Sequence, residues 1–74
     1  MTLQQLKYAM TIAQCGSFNE AAKSLFVSQP NLSSAIRELE KELGIILYER
    51  SNKGAVLTAD GQEFLGYTRR LWIE

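Results

Sequence analysis

Apolar residues recur at helical spacing from the start of the chain. Leu3, Leu6, Ala9, Met10 and Ala13 fall on one face, with Tyr8 and Ile12 to its sides. Thr2-Leu3-Gln4-Gln5 sets a hydroxyl at the cap and an amide three residues later, which is a capping box. Gly16 supplies the left-handed residue that closes this helix. Ser17-Phe18-Asn19-Glu20 repeats the box at once and opens a second helix, whose inward positions are Ala21, Ala22 and Leu25. Small alanines there let another helix cross closely. The second helix breaks at about Phe26.

A third helix begins at Ser28 or Gln29, because the residue before a proline resists the helical region. Pro30 sits in its first turn, where a missing N–H is no loss. Leu32, Ala35, Ile36, Leu39 and Leu43 then line one side, and Pro30, Ser33, Ser34, Arg37 and Lys41 the other. Gly44 ends it. The link between the second and third helices is only a few residues long, so the two must cross steeply, as in a helix-turn-helix. Ile45-Ile46-Leu47-Tyr48 is β-branched and aromatic and predicts a strand. Ser51-Asn52-Lys53-Gly54 predicts a turn, and Ala55-Val56-Leu57 a return strand. Thr58 caps a last helix from Ala59 to Glu74, with Phe64, Leu65, Tyr67, Leu71 and Trp72 apolar. The predicted fold is mainly α: a winged helix-turn-helix with a three-helix core and a two-stranded wing over residues 1–57, followed by a further helix over 58–74.

The outer face of the third helix is unusual near its start. It carries small hydroxyls, with the Gln29 amide nearby, before any charge. Serines are mediocre helix formers, so such a face is either indifferent or lets something bulky approach. The first alternative is an ordinary solvated helix. The second is a recognition helix whose opening turns enter the major groove of DNA.

Size and charge bear on the choice. A chain of 74 residues makes one small domain that buries roughly 60% of its unfolded surface. Eight Lys and Arg balance eight Asp and Glu, which counts against a nucleic-acid partner, because phosphate binding needs cations. The distribution softens that objection. Residues 1–37 hold Lys7, Lys23 and Arg37 against Glu20 alone, and residues 50–53 hold only Arg50 and Lys53. The acidic residues Glu38, Glu40, Glu42 and Glu49 crowd the later half of the third helix and the segment after it. A duplex would therefore lie near the start of that helix.

Catalytic chemistry is sparse. Histidine is absent, which excludes histidine acid–base work and histidine-bearing zinc sites. Cys15 has no second cysteine to pair with; it reads as a small hydrophobe at a helix end and fits a reducing cytosol. Glu38, Glu40 and Glu42 point to different sides of a helix and read as solvated carboxylates, not a metal site. No glycine-rich phosphate loop is present. No apolar run approaches the roughly 18 residues of a membrane span. The amphipathic pattern starts at Leu3, so neither a secretory leader nor a membrane partner is expected.

The DNA-directed features fit together. Gln29 can offer a bidentate amide to adenine, and serine can pair with several bases. Ser33 and Ser34 are small enough to let the helix sit deep. Arg37, one turn on, suits a phosphate or a guanine edge. Thr2, Ser17 and the exposed N–H groups at helix starts suit phosphates. Lys53, with Asn52 beside it, can reach a phosphate or the minor groove. Arg50 either contacts DNA or ties the ribbon to acidic residues.

Ser17-Phe18, Ala21-Ala22, Leu25, Ser28-Gln29-Pro30, Leu32-Ser33, Ile36, Leu39-Glu40, Leu43-Gly44, Leu47, Arg50 and Leu57-Thr58-Ala59-Asp60-Gly61 together resemble the N-terminal domain of LysR-type transcriptional regulators. The resemblance runs from about residue 2 to the end. It implies that Gln29, Pro30 and Ser33 face bases and that position 34 is a variable specificity site. That site is often larger and basic in the family and is Ser34 here. Ser28, Asn31, Arg37 and Arg50 fall among the expected backbone and wing contacts. The wing approaches the minor groove, and the last helix is a linker that pairs two subunits. Tyr48 stands where phenylalanine is commoner. The family also carries a larger domain that senses a small molecule; this chain has no room for it and reads as a fragment, with no cofactor of its own. The expected partner is a double-stranded, palindromic promoter site in the cytoplasm.

A single copy offers few base contacts, and a twofold pair doubles them. Phe64, Leu65, Leu71 and Trp72 cover more of the last helix than one small core hides, so part of that surface is expected to pair with a second copy. The alternative is that it all packs on the first helix. A winged-helix module that binds protein instead of DNA is the competing reading, since a fold does not fix a function.

Overall fold

The helix caps behave as their residue types require. In a computed structural model that describes residues 1–51 and 54–72, the last five by backbone alone, Thr2 caps α1 (Leu3–Cys15) with a complete capping box, and Gly16 closes it in the left-handed region at φ 73°. Ser17 caps α2 (Phe18–Leu25) through the Glu20 amide, which is one half of the second predicted box. The Glu20 side chain lies 3.8 Å from Lys23 Nζ. Ser28 caps α3 (Gln29–Leu43) by accepting from the Asn31 amide at 3.2 Å, with Pro30 in the first turn and Gly44 closing the helix at φ 74°.

The turn between α2 and α3 is unusual. Phe26 closes α2 at φ 60°, a region that side chains other than glycine and asparagine seldom enter. The Val27 amide donates to the Ala22 carbonyl at 3.1 Å and the Phe26 amide to the Lys23 carbonyl at 3.3 Å. This pair of reverse bonds satisfies the last carbonyls of α2 and turns the chain into α3 within three residues.

The first strand begins later than the apolar run predicts. β1 is Tyr48–Ser51 and pairs antiparallel with β2, Gly54–Leu57, in the register Tyr48↔Leu57, Glu49↔Val56, Arg50↔Ala55 and Ser51↔Gly54. Residues 45–47 are a connector. Leu47 is fully buried, and its amide donates to Glu40 Oε2 at 2.7 Å. Within the apolar run, Leu47 therefore serves burial and not strand pairing, while Ile46 is exposed. Glu40 is correspondingly more than a solvated carboxylate, because it takes the first N–H groups leading into the wing.

α4 (Ala59–Trp72) is seated on this connector. Thr58 donates its amide to the Leu47 carbonyl at 3.0 Å and its hydroxyl to the Ile46 carbonyl. Its Oγ1 accepts the Gly61 amide at 2.9 Å. A Cβ on Gly61 would overlap the Leu47 carbonyl, so the close seat of α4 depends on glycine there.

The core joins all three layers: Ala9 and Ile12 from α1, Phe18, Ala21 and Ala22 from α2, Leu32, Ile36 and Leu39 from α3, then Leu47, Tyr48 and Leu65. Ile12 is among the deepest side chains instead of lying to one side, and Leu3 is 70% exposed instead of inward. Cys15 is the last residue of α1 and is exposed.

Candidate nucleic-acid interface

The two small alanines of α2 are buried in the shared core at 0% and 5% exposure, and the opening turns of α3 face out. Pro30, Asn31, Ser34 and Arg37 are exposed there, and Gln29 and Ser33 are half-buried. Leu32, Ile36 and Leu39 carry the opposite face into the core. Ser34 thus lies in the open, three residues after Asn31 and three before Arg37.

The wing strand β1 reaches α3 through the Arg50 side chain. Arg50 stacks over the Phe18 ring, its guanidinium carbon 3.9 Å from the centroid, and an Nη2 proton is donated to Ser33 Oγ. Of the two roles open to Arg50, its partners are thus an aromatic ring and a serine, not acidic residues. Phe18 is held edge-on by Tyr48, with ring centroids 5.8 Å apart at 79°. The Tyr48 hydroxyl donates to the Ala9 carbonyl. Burial pushes this phenol well above the ordinary tyrosine range; the Ala13 backbone opposes the shift and the Glu40 carboxylate adds to it.

Between α2, α3 and the wing lies an open cleft of about 310 Å³, lined by Ser17, Phe18, Asn19, Gln29, Arg50, Ser51 and Gly54. Its walls combine hydroxyls, amides and one cation with the Phe18 ring. Asn19, Ser51 and Phe18 are additions to the residues singled out from sequence, and no local pattern marks them, since they come together only when the wing folds back. Ser17 and Thr2 lie at helix starts, each already accepting one backbone N–H. Asn52 and Lys53, the expected wing tip, fall outside the described residues, as do the side chains of Leu71 and Trp72.

The last helix departs from expectation at one position. Leu65 is 4% exposed within this chain's own core, because it packs inward from α4, so it is not available to a second copy. Phe64 is half-buried against the same core, whereas Tyr67 is 60% exposed. Among the described residues, no group of three or more acidic or thiol side chains is arranged to hold a metal ion, and no helix is long and apolar enough to cross a membrane.

Residues 3–62 match the family model described as bacterial regulatory helix-turn-helix protein, lysR family. The chain belongs to the LysR family. This LysR-family chain is 45% identical over 71 residues to the HTH-type transcriptional regulator TcbR of Pseudomonas sp. (strain P51), covering 96% of this chain and 24% of TcbR. It is 51% identical over 70 residues to a probable RuBisCO transcriptional regulator of Gracilaria tenuistipitata var. liui, covering 95% and 23%. It spans about a quarter of the length of these curated relatives. Among solved structures, the crystal structure of the CbnR_DBD–DNA complex superposes with a TM-score of 0.91 at 45% identity, covering 96% of this chain and 82% of that one. The BenM_DBD/catB site 1 DNA complex superposes at 0.89 and 39% identity, covering 96% and 76%. The winged helix-turn-helix of this chain is the fold of those LysR-family domains.

Proposed function

We propose that this chain is the sequence-specific DNA-binding domain of a LysR-type transcription regulator. The observation that carries the reading is the outward-facing opening of α3, with Gln29, Pro30, Ser33 and Ser34 along it and no other described helix laid across them. These four residues read base edges in the major groove. Thr2, Ser17, Ser28, Asn31 and Arg37 meet phosphates around it, and Arg50, Asn52 and Lys53 belong to a wing that approaches the minor groove. The CbnR and BenM domains, which share the fold, were crystallised with DNA.

The duplex is read by a twofold pair. The helix that begins at Ala59 is a linker through which two copies associate, with Tyr67 on the associating face and Leu71 and Trp72 as further pairing residues. Half-sites then lie about 34–36 Å apart or at a multiple of that spacing, in a palindromic promoter. A small-molecule effector acts through a region of the regulator outside this chain, and the whole works in the cytoplasm without catalytic chemistry of its own.

A gel shift against random duplex at low and moderate salt tests the reading. Retardation at low salt that weakens steeply as salt rises, through counterion release, is expected; no retardation at low salt would overturn it. Sedimentation at high protein concentration is expected to show dimer, and monomer throughout would remove the pairing.

A further inference from the structure

The contact between Arg50 and Ser33 joins the wing to the helix proposed to read bases. It is fixed from the arginine's side. The guanidinium lies 3.9 Å over Phe18, Phe18 is held by Tyr48, and Tyr48 is tied to α1 through the Ala9 carbonyl. From there Arg50 Nη2 meets Ser33 Oγ, while Ser33 remains half-buried and Ser34 is exposed.

A serine hydroxyl is both donor and acceptor, and its neighbours decide which role is left. Arginine has only donors, so Ser33 accepts from Arg50, and its own proton turns away from the guanidinium. Because the bond is charge-assisted, it also polarises the O–H and makes it a better donor. We propose that Arg50 is a positioning residue that fixes Ser33 as a hydrogen-bond donor toward the base it meets. Serine on its own tolerates either kind of base edge. Held in this way, Ser33 selects acceptor edges, which are N7 and O6 of guanine, N7 of adenine and O4 of thymine, and it disfavours the cytosine amine. The inference rests on the base-reading role of α3 proposed above.

The test is selection of bound duplexes from a random pool at one salt concentration, by the wild-type chain and by Ser33→Ala, Arg50→Met, Arg50→Lys and the Ser33→Ala/Arg50→Met double variant. Thermal unfolding of each variant establishes that it is folded. Wild type is expected to disfavour cytosine at the one position that Ser33→Ala relaxes. Arg50→Met should relax the same position, by about three- to tenfold for the loss of one oriented hydrogen bond, and the double variant should match Ser33→Ala. If Arg50→Met fails to fold, Arg50→Lys carries the test: it keeps the charge but loses the planar seat on Phe18, so discrimination at that position falls relative to the other positions selected in the same pool. Preference intact at that position, with affinity lowered equally for all sequences, would overturn the role assigned to Arg50 and leave the base-reading helix standing. A wild-type pool with no enriched motif would overturn both.

Discussion

The carbonyl of Gly16 accepts the Ala55 amide at 3.0 Å, and Gly54 lies so close that a Cβ on it would overlap the same carbonyl. The wing is thereby anchored to the turn between α1 and α2, and the missing side chain of Gly54 makes the approach possible. Gly54 is also at φ 125°, where a side chain is strained. Gly54→Ala is therefore expected to cost at least about 2 kcal/mol, read from urea unfolding, and to weaken binding to all duplexes alike by displacing the wing. Wild-type stability would show that the turn yields freely.

Glu40 holds the other end of the wing. Its Oε2 accepts from Leu47 N at 2.7 Å and from Tyr48 N at 3.4 Å. Glu40→Ala leaves the part-buried Leu47 N–H without its acceptor, at a cost of about 1–3 kcal/mol. Glu40→Gln keeps an acceptor oxygen and should lose clearly less. Equal losses for the two variants, measured by denaturant titration, would mean that charge and not acceptance matters here.

Phe26 combines two unfavourable features, a left-handed backbone at φ 60° and a side chain 94% exposed. Phe26→Gly removes about 1 kcal/mol of backbone strain and gives up almost no buried apolar surface. The thermal midpoint should rise by about 4–8 °C for a domain of this size. A fall in the midpoint would contradict the assignment of strain to this residue.

Tyr48 makes stability sensitive to alkali. Its phenol is buried and its folded pKa lies above the unfolded value, which is about 10. The folded state thus favours the neutral form. The contribution is fully present below about pH 10 and is lost as pH climbs from there toward the higher folded value. Tyr48→Phe should change stability at neutral pH by no more than about 0.5–1.5 kcal/mol, since Ala9 keeps its helical bond, and should flatten the alkaline decline. Unfolding midpoints taken at neutral pH and above pH 10 check both halves.

The helices are legible in the sequence because their ends are marked by residues with one job each: Thr2, Ser17 and Ser28 as acceptors at the starts, Gly16 and Gly44 as left-handed stops. The ribbon is less so. Ile45, Ile46 and Leu47 carry strand-forming side chains, yet the pairing begins at Tyr48, because Leu47 is pulled into the core and Glu40, seven residues earlier, takes its amide. Leu65 looks like surplus apolar surface until the core cluster takes it in. The Arg50–Ser33 contact spans 17 positions, and nothing local in either segment announces it. The exposed face of α3 is readable from helical spacing, whereas the cleft that adds Asn19 and Ser51 to it is a product of tertiary folding.

That the opening turns of α3 meet the bases is tested most directly by NMR, following amide and side-chain chemical shifts of the chain as a selected duplex is added. The largest changes are expected on Gln29, Asn31, Ser33 and Ser34, with lesser ones at Ser17 and Arg50, and little on the exposed Leu3. Changes concentrated at Leu3 and Tyr67, with Gln29 and Ser33 unmoved, would contradict a base-reading role for this helix.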